Sequence, residues 1–163
     1  MDTITYEIKG VERLIRRLQA AQRDKVLIDA LDSGTLHLRH WITTNRLSGR
    51  PGLIHRSGTL ARSITPVKAK RIGDVIEARI GTNVVYAKIH EFGSAGLPGG
   101  VIRPKTKPFL AWKDADTGKW RFAKEVRIPA RPFMGPSLKD KGNRQFILDE
   151  IVTGIKKAIE RQQ

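Results

Sequence analysis

The amino-acid sequence predicts an α+β fold, in which helices pack on one face of a largely antiparallel sheet. Apolar residues alternate with polar residues over 3–9 and 74–81, and this period of two is typical of strands. Over 25–47 and 139–161 the apolar residues recur at the spacing of a helix. A turn signal at 116–118 separates two further strand-like segments, which favours an antiparallel hairpin. Together these patterns predict short strands covered by long helices.

The N-terminal third is predicted to contain one strand and a long, bent helical segment. The strand covers residues 3–9 and ends at Gly10. Helical spacing begins at Val11 and resumes over 25–47, where Gly34 interrupts the pattern at a cost of about 1 kcal/mol. The apolar stripe of this second stretch consists of Val26, Leu27, Ala30, Leu31, Leu38, Trp41 and Ile42.

A short helix is predicted after a loop near residues 48–55, which is rich in glycine and is expected to be mobile. Ser57 is placed to cap this helix, and Pro66 is expected to end it. The helix would carry Leu60 and Ile64 on one side.

Strands are predicted to follow, and then a short amphipathic segment. The strands cover residues 67–70 and 74–81 and meet at the turn 72–73. The amphipathic segment runs over 86–92, and Gly93 ends it.

The C-terminal third is predicted to form the hairpin, a stiff connection and a helix. Strand-like residues 109–112 and 120–126 flank the turn signal, and a glycine-rich loop near 93–108 is expected to be mobile. The connection contains Pro129, Pro132 and Pro136. The final helix over 139–161 has Phe146, Ile147, Ile151, Ile155 and Ile159 in register.

Length and composition restrict the class of protein. The 163 residues are expected to form a single domain, 1–163, and the chain has no cysteine, which excludes a disulfide scaffold and thiol chemistry. No apolar run reaches the roughly 18 residues of a membrane span, and Met1 is followed directly by Asp2, so neither a span nor a secretory signal is expected. The formal net charge is +15, from 31 lysines and arginines against 16 acidic residues, so an acidic partner is expected.

The sequence predicts no catalytic activity, metal or cofactor. His37 and His40 are three residues apart on the predicted helix, and a structural or solvated role is favoured over metal ligation. His90-Glu91 is not part of a zinc-binding HExxH motif, because Ser94 stands where the second histidine would be. The sequence also contains neither a nucleophile elbow around a serine nor a phosphate-binding glycine motif.

The basic residues have two interpretations that the sequence leaves equally open. Arg103, Lys105 and Lys107 lie beside prolines on one loop, and other basic residues occur in every predicted element. Such a surface could lie near DNA without sequence specificity, or it could dock on an acidic protein. Sequence-specific DNA binding is not expected, since the sequence shows no pattern of a recognition helix.

Three stretches, taken in order, carry a family resemblance. They are residues 57–64 (SGTLARSI), 86–93 (YAKIHEFG) and 128–135 (IPARPFMG). With a loop and hairpin between the last two and a closing helix, this order resembles the phage virion morphogenesis, or tail-completion, family of Mu-like and related tailed bacteriophages. The resemblance covers residues 10–160.

The resemblance implies a structural virion protein at the head–tail junction. Proteins of this kind form rings, commonly hexameric, which complete or terminate the tail tube and dock it to the head connector. The implied partners are further copies of the chain, the tail tube protein and connector proteins, with DNA passing through the ring without sequence-specific contact. The implied location is the tail or neck of the virion, after assembly in the host cytoplasm. The alternative is a small basic protein that binds DNA non-specifically.

The candidate contact residues lie in these stretches and in the basic loop. For Tyr86, Phe92 and Phe133, packing in the core is favoured over contact between subunits, with Phe92 and Phe133 as core anchors. Arg131 is expected to meet a carboxylate in a bidentate pair, either within the chain or across a subunit boundary. The full set of candidates is Tyr86, His90, Phe92, Arg103, Lys105, Lys107, Arg131 and Phe133.

Overall fold

A computed structural model describes residues 20–49, 52–53, 57–114 and 117–161. The helices and strands are α1 (Ala20–Asn45), α2 (Thr59–Ser63), β1 (Thr65–Ile72), β2 (Val75–Gly81), α3 (Ala87–Phe92), β3 (Leu110–Lys113), β4 (Trp120–Ala123), α4 (Met134–Lys139) and α5 (Lys141–Glu160). Helices and antiparallel strands therefore confirm the α+β prediction. The predicted strand over 3–9 and the helical spacing that begins at Val11 lie outside the described residues.

Helix α1 packs along the C-terminal helix α5. Ala30 of α1 is buried together with Ile151 and Ile155 of α5. Helix α1 continues unbroken through Gly34, and the absence of a side chain there lets α5 approach closely. A Cβ atom at Gly34 would lie 2.7 Å from Cγ1 of Ile147. Gly34 interrupts the apolar pattern in the sequence, but in the structure it is a point of close packing within an unbroken helix.

A second hydrophobic cluster lies at the C-terminal end of α1. It consists of Ile42, Leu47, Leu53, Leu60, Ile64, Ala87 and Phe133. These residues come from α1, from the loop after it, from α2 and α3, and from the residue before α4. This cluster holds the central elements of the chain together.

The short helix α2 is present, but two details of its prediction are wrong. Gly58, not Ser57, is its N-cap, with a left-handed φ of 68°, and the hydroxyl of Ser57 accepts only a long hydrogen bond from the amide of Thr59, at 3.4 Å. Pro66 does not end the helix, since it lies in β1 and pairs with Ile80 of β2. The helix ends at Ser63, where the following Ile64 adopts an extended conformation and enters the core.

The strands form two separate antiparallel pairs. Strands β1 and β2 pair from Thr65 opposite Gly81 to Ile72 opposite Val75, with a bulge between Val67 and Lys70. The bulge takes the amide of Ala69 out of the ladder, and this amide donates instead to Oδ1 of Asp32 on α1, at 2.6 Å. The bulged strand is thereby fixed to the long helix.

The predicted hairpin is confirmed as strands β3 and β4. Leu110 pairs with Ala123, and Lys113 pairs with Trp120. A separate bridge between Ile102 and Val126 continues the pairing toward the rest of the chain.

The C-terminal region contains one helix more than the sequence predicts. Asp140 is extended, and it separates α4 from α5 and caps α5 by accepting from the amide of Asn143 at 3.0 Å. Pro136 lies in the first turn of α4, where a missing N–H leaves no gap in the helical bonds. Pro136 therefore belongs to a helix, whereas the sequence places it in the stiff connection. None of the helices among the described residues has the length and apolar character needed to cross a bilayer.

Candidate assembly interface

Glu91 of α3 holds the beginning of α4. Its Oε2 accepts hydrogen bonds from the amides of Phe133 and Met134, at 2.8 and 2.9 Å. Its Oε1 accepts from the amide of Gly135, at 2.8 Å. The first amides of a helix have no partner within the helix, and a carboxylate there also interacts favourably with the helix dipole. Glu91 therefore fixes α4 against α3.

Backbone contacts join the same two segments. The amide of Arg131 donates to the carbonyl of His90 at 2.7 Å, and the amide of Ser94 donates to the carbonyl of Ile128 at 2.8 Å. Gly93 lies between these contacts with a φ of +69°, and a Cβ atom there would be 2.7 Å from both Ala130 N and Ile128 O. A residue with a side chain would therefore be strained at position 93 and would also collide with the facing backbone.

The three stretches that carry the family resemblance meet in one place. Residues 86–93 and 128–135 are joined by the bonds just described. Leu60 and Ile64 of the first stretch share the second hydrophobic cluster with Ala87 and Phe133. The order of motifs along the sequence thus corresponds to a single packed unit in space.

Exposed apolar side chains lie at both ends of α3. Ala87 and Glu91 of the helix face inward, while Lys88 is exposed. Val85 and Tyr86, which directly precede the helix, and Phe92, its last residue, are 94%, 45% and 46% exposed. We call these three residues the outer face of α3.

This arrangement corrects the prediction of core packing for two aromatic residues. Phe133 is a core anchor, with only 1% of its surface exposed. Tyr86 and Phe92 are not in the core, because Ala87 and Glu91 occupy the inward side of α3. Apolar character alone could not tell which side of such a short helix faces inward.

His90 lies beside the outer face and is partly buried. Its ring meets the Tyr86 ring edge to face, with centroids 5.7 Å apart. Burial lowers the pKa of His90 below its ordinary value of 6.5, and the positive charge of Arg131 lowers this pKa further. Folding therefore favours the neutral imidazole.

The lowered pKa predicts a pH dependence of stability. Below about pH 6.5 the unfolded chain binds a proton at position 90 more readily than the folded chain, so the free energy of unfolding should fall as the pH decreases through this range. Urea unfolding of wild type and His90→Gln between about pH 5 and 7.5 measures this contribution. The variant should lose less stability on acidification, and Arg131→Gln should show an intermediate loss. Parallel pH profiles for all three proteins would contradict the assignment.

The predicted carboxylate pair of Arg131 is not formed within the described residues. The nearby carboxylate, Glu91, binds backbone amides instead. Arg131 is an exposed residue, and a pair across a subunit boundary stays a prediction.

The basic loop lies at the surface. Arg103 Nη2 is 3.1 Å from Oε2 of Glu125, while Lys105 and Lys107 are exposed. In the glycine-rich part, Ser94 is 2% exposed, and its hydroxyl donates to the carbonyl of Gly100 at 2.8 Å. The mobility of this loop and of residues 48–55 stays a prediction.

His37 of α1 has structural contacts with α5. Its Nε2 is 3.0 Å from Oδ1 of the buried Asn143, and its ring stacks on Phe146 with centroids 4.0 Å apart. Among the described residues, no group of three or more histidine or acidic side chains could hold a metal ion.

Sequence reasoning missed two features of this surface. The first is Glu91, whose bonding partners lie 42 to 44 residues further along the chain, where no local pattern reveals them. The second is the exposure of Trp120 and Phe122, which are 64% and 67% exposed on β4. Their spacing of two residues places them on one face of the strand, and this was the available signal.

One family of known proteins matches the part of the chain that contains the packed motif unit. The phage virion morphogenesis family matches residues 38–153, more than two thirds of the chain, and this range includes all three motif stretches. No curated protein and no solved structure matches the chain. The chain belongs to the phage virion morphogenesis family, and its role is a structural one in the assembly of a bacteriophage virion.

Proposed function

We propose that this protein is a ring-forming subunit of the head–tail junction, which completes or terminates the tail tube and docks it to the head connector. The ring is a homo-oligomer, with six subunits as the expected number. The observation that carries this proposal is the outer face of α3. Within the motif unit of an established virion family, it is an apolar surface without a covering layer in the described chain.

The outer face is suited to contact between subunits because it is both apolar and rigid. Burial of apolar surface contributes about 25 cal/mol for each Å² removed from water. The inward side of α3 is already fixed by Glu91 and by the backbone bonds to residues 128–135. Little conformational entropy would therefore be lost on association, which favours a stable interface.

The net charge restricts how such a ring is oriented. Each subunit carries a formal charge of +15. A lumen lined by this charge would hold DNA by its phosphates and oppose its passage. We therefore place most of the basic residues toward acidic neighbours in the tail tube and connector, with DNA passing through the ring without sequence-specific contact. Assembly would take place in the host cytoplasm, and the finished ring would lie in the neck of the virion.

The purified chain and tail tubes assembled without it provide the test. Native mass spectrometry of the chain, and negative-stain images of tubes with and without it, should reveal closed rings at one end of each tube. A monomer in solution is compatible with ring formation on the tube. A chain that leaves tube ends unchanged and stays monomeric would overturn the proposal.

Polar substitutions on the outer face should prevent assembly without unfolding the chain. In Val85→Ser/Phe92→Ser, the two side chains are exposed in the monomer, so the free energy of unfolding should change by less than about 1 kcal/mol. Ring formation should weaken at least about tenfold, since buried aromatic residues dominate many interfaces.

Leu36→Ser is the matched control for these substitutions. Leu36 is 58% exposed on α1, and its replacement should leave ring formation unchanged. Equal assembly of the double variant and wild type, measured by native mass spectrometry on tube ends, would contradict the assignment of the outer face.

A further inference from the structure

The β3–β4 hairpin carries a second apolar surface. Residues directly opposite each other in an antiparallel pair share a face of the sheet. Ala111 is opposite Phe122, and Lys113 is opposite Trp120, so these four residues form one face, which we call the aromatic face of the hairpin. Trp120 and Phe122 are 64% and 67% exposed. Exposed aromatic residues grouped in this way mark interaction sites.

The hairpin also needs support from a partner. A two-stranded hairpin is only marginally stable in water when neither face is covered. The face opposite the aromatic one is only partly covered: Leu110 and Ala123 are partly buried, but Trp112 is still 40% exposed and Arg121 is exposed. Contact of the aromatic face with a second surface would therefore both cover the rings of Trp120 and Phe122 and stabilise the strands.

The charges around the hairpin indicate the chemistry of that partner. Both carboxylates of the described hairpin are already engaged: Asp114 with Arg121 at 3.6 Å and Glu125 with Arg103 at 3.1 Å. Three exposed lysines have no ion-pair partner within the described part of the chain. They are Lys113, Lys119 and Lys124. An acidic partner would complement this excess of positive charge.

We propose that the aromatic face of the hairpin docks on an acidic, partly apolar protein surface at the end of the tail tube. This inference rests on the proposed function and adds a separate surface for the tube, while the outer face of α3 joins copies of the chain. A second copy is the less favoured occupant, because its formal charge of +15 would oppose the three lysines.

Protein is favoured over nucleic acid because of how the charges are placed. Proteins that stack single strands combine aromatic residues with a positive groove that follows the phosphates. Within the paired strands, Lys113 is the basic residue on the aromatic face, and Arg121 lies on the opposite face. The aromatic face is thus more apolar than basic, which matches a protein surface.

Two variants of the full chain test the proposal. Trp120→Ser/Phe122→Ser removes the aromatic contacts, and Lys113→Gln/Lys119→Gln/Lys124→Gln removes the charges while keeping the aromatic residues. Co-sedimentation with tail tubes, assembled without this protein, measures docking. Native mass spectrometry measures self-association, and retention on immobilised duplex and single-stranded DNA measures nucleic-acid binding.

Both variants should bind tubes at least tenfold more weakly than wild type, and added salt should weaken wild-type binding more than that of the lysine variant. Self-association should be unchanged in both, and Leu36→Ser should bind tubes normally. Undiminished tube binding by the aromatic variant would overturn this inference. Loss of self-association in either variant would also overturn it, and so would a loss of DNA retention with tube binding unchanged. Failure of wild type itself to bind tubes would overturn the proposed function as well, so the two failures are distinguishable.

Discussion

Truncation of Phe133 to alanine is expected to lower the free energy of unfolding by about 3–5 kcal/mol. The side chain is 1% exposed, and it packs in the cluster with Leu60, Ile64 and Ala87. Because these neighbours belong to different segments of the chain, namely α2, the residue after it and α3, they cannot move together to fill the space, and a cavity would remain. A loss of this size is comparable to the whole stability of many domains.

Urea unfolding, followed by circular dichroism, measures this loss, and Phe122→Ala is the matched control. Phe122 undergoes the same chemical change, but it is 67% exposed on β4, so its truncation should change stability by less than about 1 kcal/mol. A similar loss in the two variants would show that Phe133 is not the anchor of the cluster. If Phe133→Ala is folded enough to be purified, its ring formation should also decrease, because α3 would lose its support.

The elements that the sequence predicts correctly are those defined by local patterns. Helices α1 and α5 have long apolar stripes, and both hairpins consist of strands close together in the chain with glycine in or beside the turn. Spacing between neighbouring residues is sufficient for such elements. The extra helix α4 is different. The three prolines of this region predict a stiff connection, whereas the first turn of α4 depends on a carboxylate in α3.

The segments that form the candidate site could be predicted from the sequence, but the residues of α3 that face inward could not. The three motif stretches were identified from their order, and the structure brings them together. Which side of α3 faces inward was not predictable, since Tyr86 and Phe92 have the composition of core residues. The inward side is decided by Glu91, whose partners are distant in sequence, and by the small Ala87, which fits against the cluster. The net charge likewise predicted an acidic partner, but it did not predict that lysines without an ion-pair partner among the described residues lie on an aromatic hairpin.

Replacement of Glu91 by glutamine is expected to lower the free energy of unfolding by about 2–3 kcal/mol. Glutamine keeps one acceptor oxygen, but its NH₂ group would face an amide that now donates to Oε1 or Oε2, so at least one of three N–H groups would lose its partner. The loss of negative charge at the start of α4 also removes its favourable interaction with the helix dipole. Hydrogen exchange at the amides of residues 133–135 should become faster than in wild type.

Glu125→Gln is the control for the Glu91 substitution, because it removes a carboxylate that takes part in an exposed ion pair with Arg103. Such pairs contribute about 0–1 kcal/mol, so the control should unfold close to wild type. Urea unfolding and hydrogen exchange of the two variants then show whether Glu91 caps α4 and joins it to α3, or contributes only as a surface charge does, like Glu125. If Glu91→Gln has wild-type stability and unchanged exchange at 133–135, the carboxylate does not hold α4. If both properties change as expected, Glu91→Gln should also assemble poorly on tail tubes, since the outer face of α3 depends on the same anchor.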